Sequence, residues 1–449
     1  MTMIKPRISI IGVGYVGLCT ALGFASKGYK VTAIDRDTKK VSLIYRGISP
    51  FYEAGLDTVL QKTLKEGYLK CTSKYSQAIL NSDITFVAVG TPSKVDGRIN
   101  LRYIESSARE IGETLKDKEN YHLIVIKSTV VPGTTQNVIK PLIEKTSGKR
   151  YGEGFGICVN PEFLREGSAL HDVLNPDRII IGECDKKSGD ILEALYRDVY
   201  GDKTPTIIRT NTQTAEMIKY ANNAFLATKI SFINEIANLC EKIPGVDVTT
   251  IAKAIGLDKR IGPLFLNAGL GYGGSCLPKD VKALIAFAKK LGYKPTLLKA
   301  VDKVNENQPY KAVELCRKAL GNLEGKRIAI LGLAFKRETD DIRGAVSIKI
   351  IKRLLKHGAD VIAYDPAAMD NIKKLLGNRI MLASSDVNCI RNADCCIIVT
   401  EWDEFKKLKP EDFVRNMKHP IVIDGRRIYD PHVYGRKLKF IAIGLGQDN

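Results

Sequence analysis

The chain has 449 residues, 44% of them hydrophobic, and a formal net charge of +19, which is too long for one core and points to two to four domains. No apolar run reaches the length of a membrane span, and "MTMIKPR" leads straight into a strand-like "ISIIGVG", so a cytoplasmic protein without membrane association is expected. The ten cysteines show neither a C-x-x-C pair nor disulfide-like spacing, and the basic residues spread along helical faces such as "NIKKLL" and "IIKRLLKHG", which argues against structural metal, disulfides and nucleic acid and for anionic small-molecule ligands.

The first third alternates apolar strands with amphipathic helices through "RISIIGVG", "KVTAIDRD", "DITFVAVG", "LIVIKSTV", "FGICVNPEF" and "RIIIGE", the pattern of a mostly parallel sheet covered on both faces. In "IIGVGYVG", Gly12, Gly14 and Gly17 follow a strand and open a helix, and Asp35 ends the next strand at the spacing of a dinucleotide fingerprint. Gly12 permits the turn, Gly14 lets the backbone approach a pyrophosphate, and Gly17 lets helix pack on strand. Asp35 accepts the adenosine ribose hydroxyls and repels a 2′-phosphate, which favours NAD over NADP. Arg36 beside it could accommodate that phosphate.

The middle carries a long helix starting near "NTQTAEMIKYANNAFLATKISFINEIANLCEKI", with Met217, Ile218, Ala221, Phe225, Ile230, Ile233 and Ile236 expected in the core. Lys219 and Asn223 share one face of it. In "LGYGGSCLPKDV", Pro278 suits the first turn of another helix, which puts Cys276 at or before its N-terminus. The free N–H groups there, the helix dipole and Lys279 favour a thiolate. From the residues alone, a reactive thiol and a small plug in a turn both stand.

The alternation restarts near residue 326 with "KRIAILGLAF", "ADVIAYDP", "DCCIIVTEW" and "PIVIDGRR". This second sheet lacks the glycine triad. Lys336, Arg337 and Arg343 at one strand–helix junction, with Arg426 and Arg427 at a further strand end, are the groups to hold a second phosphate-bearing ligand. Cys395 and Cys396 lie inside an apolar strand as packing residues. The expected architecture is α/β, with two Rossmann-like doubly wound parallel-sheet domains, 1–203 and 312–449, joined by a long central helix and helical middle domain at 204–311.

In order and spacing the chain resembles the UDP-glucose/GDP-mannose dehydrogenase family over essentially its whole length, through "GVGYVG", "VGTP", "KSTVVPGT", "NPEFLREGSAL", "ANNAFLATKISFINEIANLCE", "GYGGSCLPKD", "GLAFKRETDDIR" and "DGRR". The resemblance implies an N-terminal NAD domain, a C-terminal nucleotide-sugar domain and a homodimer joined through the central helix. It implies four-electron oxidation of a nucleotide sugar, UDP-glucose ahead of GDP-mannose, with Cys276 as the nucleophile that holds the aldehyde. Lys219 then stabilises oxyanions and assists proton transfer beside Asn223. Glu162 lies near the reacting carbon and works through water, Thr129 holds a catalytic water, and Asp280 orients that water or acts as base. Arg260 reaches into the neighbouring subunit's sugar site.

By the same resemblance Gly12, Gly14, Tyr15, Val16, Gly17, Asp35, Thr91, Thr129, Glu166, Lys279 and Arg343 contact NAD. Glu162, Phe163, Leu164, Glu166, Lys219, Asn223, Arg260, Gly273, Phe335, Lys336 and Arg426 contact the sugar nucleotide. Two other classes compete: a two-electron β-hydroxyacid dehydrogenase, which needs neither Cys276 nor a second nucleotide domain, and a nucleotide-sensing protein, which binds without turnover.

Overall fold

The computed structural model describes residues 5–446. The chain divides into two compact units, Met1–Asn222 and Asn223–Asn449, with the division inside the continuous helix Thr212–Cys240. The N-terminal unit is built on eight strands: β1 (Ile8–Ile11), β2 (Val31–Ile34), β3 (Leu69–Thr72), β4 (Ile84–Val87), β5 (His122–Ile126), β6 (Phe155–Val159), β7 (Arg178–Glu183) and β8 (Thr206–Asn211). They lie in the order β3-β2-β1-β4-β5-β6-β7-β8, parallel except that β7 runs antiparallel to β6. The C-terminal unit has an all-parallel sheet of β9 (Arg327–Leu331), β10 (Asp360–Tyr364), β11 (Met381–Leu382), β12 (Cys395–Ile398), β13 (Ile421–Asp424) and β14 (Lys439–Ala442). Its order is β11-β10-β9-β12-β13-β14. In both sheets the order of strands therefore reverses beside the first strand, and in such folds ligands bind outside the carboxyl ends of the strands at that point.

Alternation along the strands divides the apolar residues between two faces. Ile8 and Ile10 pack with Leu18 and Leu22 of the helix Tyr15–Ser26, while Ile11 joins Ile104 and Ile111 on the opposite face. Each such side chain stabilises the fold by about 1.5–3 kcal/mol on burial. Cys395 and Cys396 are fully buried in β12, as packing residues should be. On the face shared with Ile11, Ser9, Thr85 and His122 of three neighbouring strands form a buried polar seam. Ser9 Oγ lies 2.6 Å from Thr85 Oγ1, which lies 2.7 Å from His122 Nε2.

The helix Thr212–Cys240 corrects part of the expected core. Ile233 is fully buried and Ile218, Ile230 and Ile236 are half-buried, but Ala221 is exposed and Met217 and Phe225 are 38% and 65% exposed. Helical spacing alone does not distinguish two apolar stripes on one helix, and a second stripe here runs on through Phe232 and Leu239, 50% and 58% exposed. Among the described residues, no helix is long and apolar enough to cross a membrane.

Candidate active site

Several N-terminal candidates lie just beyond the carboxyl end of a strand: Gly12 and Gly14 after β1, Asp35 after β2, Thr91 after β4, Thr129 after β5 and Glu162 after β6, while Lys219 projects from the helix Thr212–Cys240. Gly12 has φ +96°, and a Cβ there would lie 2.8 Å from Ala88 O; one on Gly17 would lie 1.7 Å from Gly12 O. Only glycine fits either position. A Cβ on Gly14 would meet nothing within 4 Å, so the turn is open where a pyrophosphate would approach. The helix Tyr15–Ser26 starts with no acidic residue in its first turn and no side-chain cap, leaving its amides to an anion.

Asp35 accepts from Val13 N and Asp37 N, both at 2.9 Å, which fixes its carboxylate beside the glycine turn. Arg36 instead pairs with Glu110 at 3.0 Å, both groups half-exposed. These residues fit NAD. Asp35→Asn keeps an acceptor for Val13 N but removes the charge, so the preference for NAD over NADP is expected to fall about tenfold or more, the scale of one charge-assisted hydrogen bond. Steady-state kcat/KM with each cofactor measures it, and an unchanged ratio would reject the assignment.

Glu162 and Lys219 form a buried ion pair, Oε1 to Nζ 2.9 Å, with 7% and 5% of their side chains exposed. Glu162 Oε2 also accepts from Leu164 N at 2.6 Å. Burial pushes the Glu162 carboxyl upward, but Lys219, the Leu164 amide and Lys127 together outweigh it and hold the group below its usual range. Two cations approach the Phe163 ring, the Arg178 guanidinium 3.9 Å and Lys219 Nζ 5.3 Å from its centroid. Lys127 Nζ donates to Asn160 Oδ1 at 2.9 Å, and that oxygen also accepts from Tyr196 OH at 2.5 Å. A cleft of about 150 Å³ opens beside Lys127, Asn160, Glu162, Phe163 and Arg178.

The loop bearing Phe163, Leu164 and Glu166 is tied down at its far end. Glu53 accepts from Gly167 N at 2.8 Å and Ala169 N at 2.7 Å, and Asp172 pairs with Arg165 at 2.6 Å.

In the C-terminal unit Cys276 is the N-cap residue of the helix Leu277–Lys290, with Pro278 in its first turn. Of the ten cysteines it is the one classed as exposed. The glycines before it serve close packing. Gly274 has φ +86° and a Cβ there would lie 2.8 Å from the Phe335 ring, while one on Gly273 would lie 2.4 Å from Gly344 O. Gly274 N donates to Arg343 O at 2.9 Å, so the cysteine loop, Phe335 and the Arg343 backbone converge.

One turn on from Cys276, the buried Asp280 accepts from Asn223 Nδ2 at 2.6 Å and pairs with Lys279. Arg426 Nε donates to Val399 O at 2.6 Å, and its Nη1 reaches Gly271 O of the cysteine loop at 3.4 Å. Its neighbour Arg427 turns away, into a half-buried pair with Asp247 at 2.8 Å, and is structural. Lys336 Nζ lies 5.8 Å from the Phe335 ring centroid. The Arg343 guanidinium pairs with Asp341, and the largely exposed Arg260 pairs with Asp258, both at 2.6 Å.

The second sheet keeps a remnant of the dinucleotide pattern. Gly332 has φ +101° after β9, and Asp365 follows β10 as Asp35 follows β2. Asp365 is fully buried, however, and accepts from Leu333 N, Ala334 N and Trp402 Nε1 at 2.7, 3.0 and 3.1 Å. Those donors leave that oxygen no room for ribose hydroxyls, so this sheet is built for a different ligand.

Three family models match in succession: the NAD binding domain of the UDP-glucose/GDP-mannose dehydrogenase family over residues 6–200, its central domain over 213–307 and its UDP binding domain over 329–431. The chain belongs to this family. It is 46% identical over 423 residues to the UDP-glucose 6-dehydrogenase AglM of Haloferax volcanii, covering 94% of this chain and 97% of that one. It is 44% identical over 443 residues to a UDP-glucose 6-dehydrogenase of Rickettsia conorii, covering 98% and 99%. The solved structure of a UDP-glucose dehydrogenase from Pyrobaculum islandicum matches with a TM-score of 0.92 at 38% identity, over 99% of each chain.

As a member of this family the chain is an NAD-dependent nucleotide-sugar dehydrogenase, with NAD taken by the N-terminal unit. Lys127, Asn160 and Glu53 are not candidates on the sequence alone. Lys127 and Asn160 open "KSTVVPGT" and "NPEFLREGSAL", and a lysine directly after an apolar strand is the signal they carry. Glu53 acts over 114 residues of chain, which nothing local reveals.

Proposed function

We propose that the substrate is UDP-glucose, oxidised at C6 to UDP-glucuronate with Cys276 carrying the intermediate, and that the enzyme acts in the cytoplasm, where its free cysteines stay reduced. The observation that carries this reading is the exposed Cys276 thiol at a helix N-terminus, one turn from the buried Asp280–Asn223 pair. Bound NAD supplies the hydride acceptor, one hydride per molecule. Gly12, Gly14, Tyr15, Val16 and Asp35 hold it, with Thr91, Thr129 and Glu166 on the neighbouring strand ends.

Removing four electrons from a primary alcohol passes through an aldehyde, which must be retained. The Cys276 thiolate adds to the aldehyde carbon and the carbonyl oxygen takes the negative charge. Loss of hydride from that carbon leaves a thioester, and water attacks it, breaking the C–S bond and returning the thiolate. The Lys219 ammonium stabilises the oxyanions. Asp280, held by Asn223 and Lys279, orients the attacking water or takes its proton, and Thr129 holds that water. Phe335, Lys336, Gly273 and Arg426 form the nucleotide-binding side.

Incubation with NAD and a panel of nucleotide sugars tests this. Two NADH per UDP-glucose and a product heavier by 14 Da are expected, from the gain of one oxygen and the loss of two hydrogens. One NADH with a stable carbonyl product overturns the four-electron route, and turnover of GDP-mannose alone moves the enzyme to the mannose branch.

The functional form is proposed to be a homodimer. Phe225, Phe232 and Leu239 recur every seven residues on one helix and stand 65%, 50% and 58% exposed, a stripe that a second copy would cover. Arg260, pointing to solvent from its loop, then serves the neighbour's sugar site. Phe232→Glu is expected to give monomers of low activity by light scattering and assay; fully active monomers would remove both statements.

A further inference from the structure

Two lysines, not one, address Glu162. Lys219 pairs with it directly at 2.9 Å. Lys127, directly after β5 and 8% exposed, also lowers the proton affinity of Glu162 by its charge. Its Nζ donates to Asn160 Oδ1 at 2.9 Å, and Lys127 lines the cleft that Glu162 also lines. Asn160 is itself immobilised by Tyr196 OH and by its own donation to Ile180 O at 2.8 Å. It lies two residues before Glu162, so the ammonium, the amide and the carboxylate are mechanically continuous.

We propose that Lys127 is a positioning residue of the oxidation: its ammonium holds Asn160, acts on Glu162 together with Lys219, and adds a second positive charge near the group that meets the developing oxyanion. Loss of its proton leaves Lys219 alone with Glu162. This rests on the reading that Glu162 and Lys219 are where charge develops.

The groups facing Lys127 are Glu162 from the loop after β6, Lys219 from the long helix, the Tyr196 hydroxyl through Asn160, and Arg178 of β7 across Phe163. Burial lowers its proton affinity to about pH 8, Glu162 opposes that, and Lys219 adds to it. The protonated form therefore prevails at neutral pH and the neutral form above pH 9.

The test follows the rate of the first NADH formed in single turnovers with UDP-glucose, from pH 6.5 to 9.5, for wild type, Lys127→Gln and Lys127→Arg. Lys127→Gln is expected to be about tenfold slower at pH 6.5, one decade per 1.36 kcal/mol of lost field. It should converge on wild type by pH 9.5, where wild type has lost the same charge. Lys127→Arg, charged throughout, should lack the wild-type inflection near pH 8. Tyr196→Phe leaves Asn160 Oδ1 to the ammonium alone and should move that inflection to higher pH with the lysine still in place.

A Lys127→Gln to wild-type ratio that is constant with pH is what a merely structural role gives, and it overturns the proposal. So does an inflection that Tyr196→Phe leaves unmoved. Lys219→Met is the control. Its collapse alongside a constant Lys127 ratio removes this inference only, whereas near-normal turnover by Lys219→Met removes the underlying reading as well.

Discussion

A Cys276→Ala enzyme is expected to bind NAD and nucleotide sugar with near wild-type affinity and to form sugar acid on the order of 10⁴-fold more slowly, the scale on which loss of a covalent nucleophile is felt. Binding survives because the glycine turn after β1 and the arginine beyond β13 lie on segments distant from residue 276 in the chain. The loop itself is held by Gly273 against Gly344, Gly274 against Phe335 and the hydrogen bond to Arg343 O, none of which uses the thiol.

Cys276→Ser separates the two halves of the chemistry. Its hydroxyl can still capture the aldehyde carbon, but an oxygen ester is a poorer acyl donor to water than a thioester. A slow enzyme carrying covalently attached sugar acid is expected, visible as a mass increment on the intact protein after a burst of NADH. Near-normal acid formation by Cys276→Ala would end the covalent mechanism and leave "GGSC" as a tight turn.

The second large effect is on stability. His122 is fully buried in the Ser9–Thr85 seam. Burial, with the nearby Lys118 ammonium, lowers its proton affinity from the usual 6.5 to about 3. The folded chain therefore keeps this imidazole neutral at pH values where the unfolded chain protonates it. The sign follows: the stability is present above pH 6.5 and is lost as pH falls toward 3, at about 1.4 kcal/mol per pH unit for one proton. Roughly 3 kcal/mol is lost by pH 4, a large share of the 5–15 kcal/mol typical of a domain. His122→Gln can still bond Thr85 but does not titrate. Amide exchange of β1, β4 and β5 between pH 7 and 4.5 should show a steeper loss of protection in wild type than in this variant. Parallel slopes would place acid sensitivity elsewhere.

The strands that carry the site were legible because each is an apolar run bounded by turn residues and buried on both faces, as in β1, β4, β5, β9 and β12. The strands without a clear sequence signal are edge or short ones. β3 (LKCT) and β8 (TIIRTN) present polar residues to solvent along much of their length, β11 has two residues, and β14 closes the far edge of the second sheet. In the site, residues inside uninterrupted motifs were legible, since spacing alone puts Asp280 one turn from Cys276 and Asn223 one turn from Lys219. What spacing does not carry is direction. Adjacent arginines at the end of β13 part company, Arg426 to the cysteine loop and Arg427 to Asp247. The outward apolar stripe of the long helix is likewise invisible to a pattern that counts apolar residues without saying which face has a partner.

The chain's one tryptophan is Trp402, whose indole N–H rests on Asp365 at 3.1 Å. It adjoins Glu401, which lies 3.5 Å from Arg426. Intrinsic fluorescence excited at the red edge thus has a single source, and that source stands next to the guanidinium assigned to the nucleotide. Filling of the C-terminal sheet can be titrated optically with no label. Nucleotide-sugar binding can therefore be followed by tryptophan emission before any NADH is formed, and turnover afterwards by NADH absorbance.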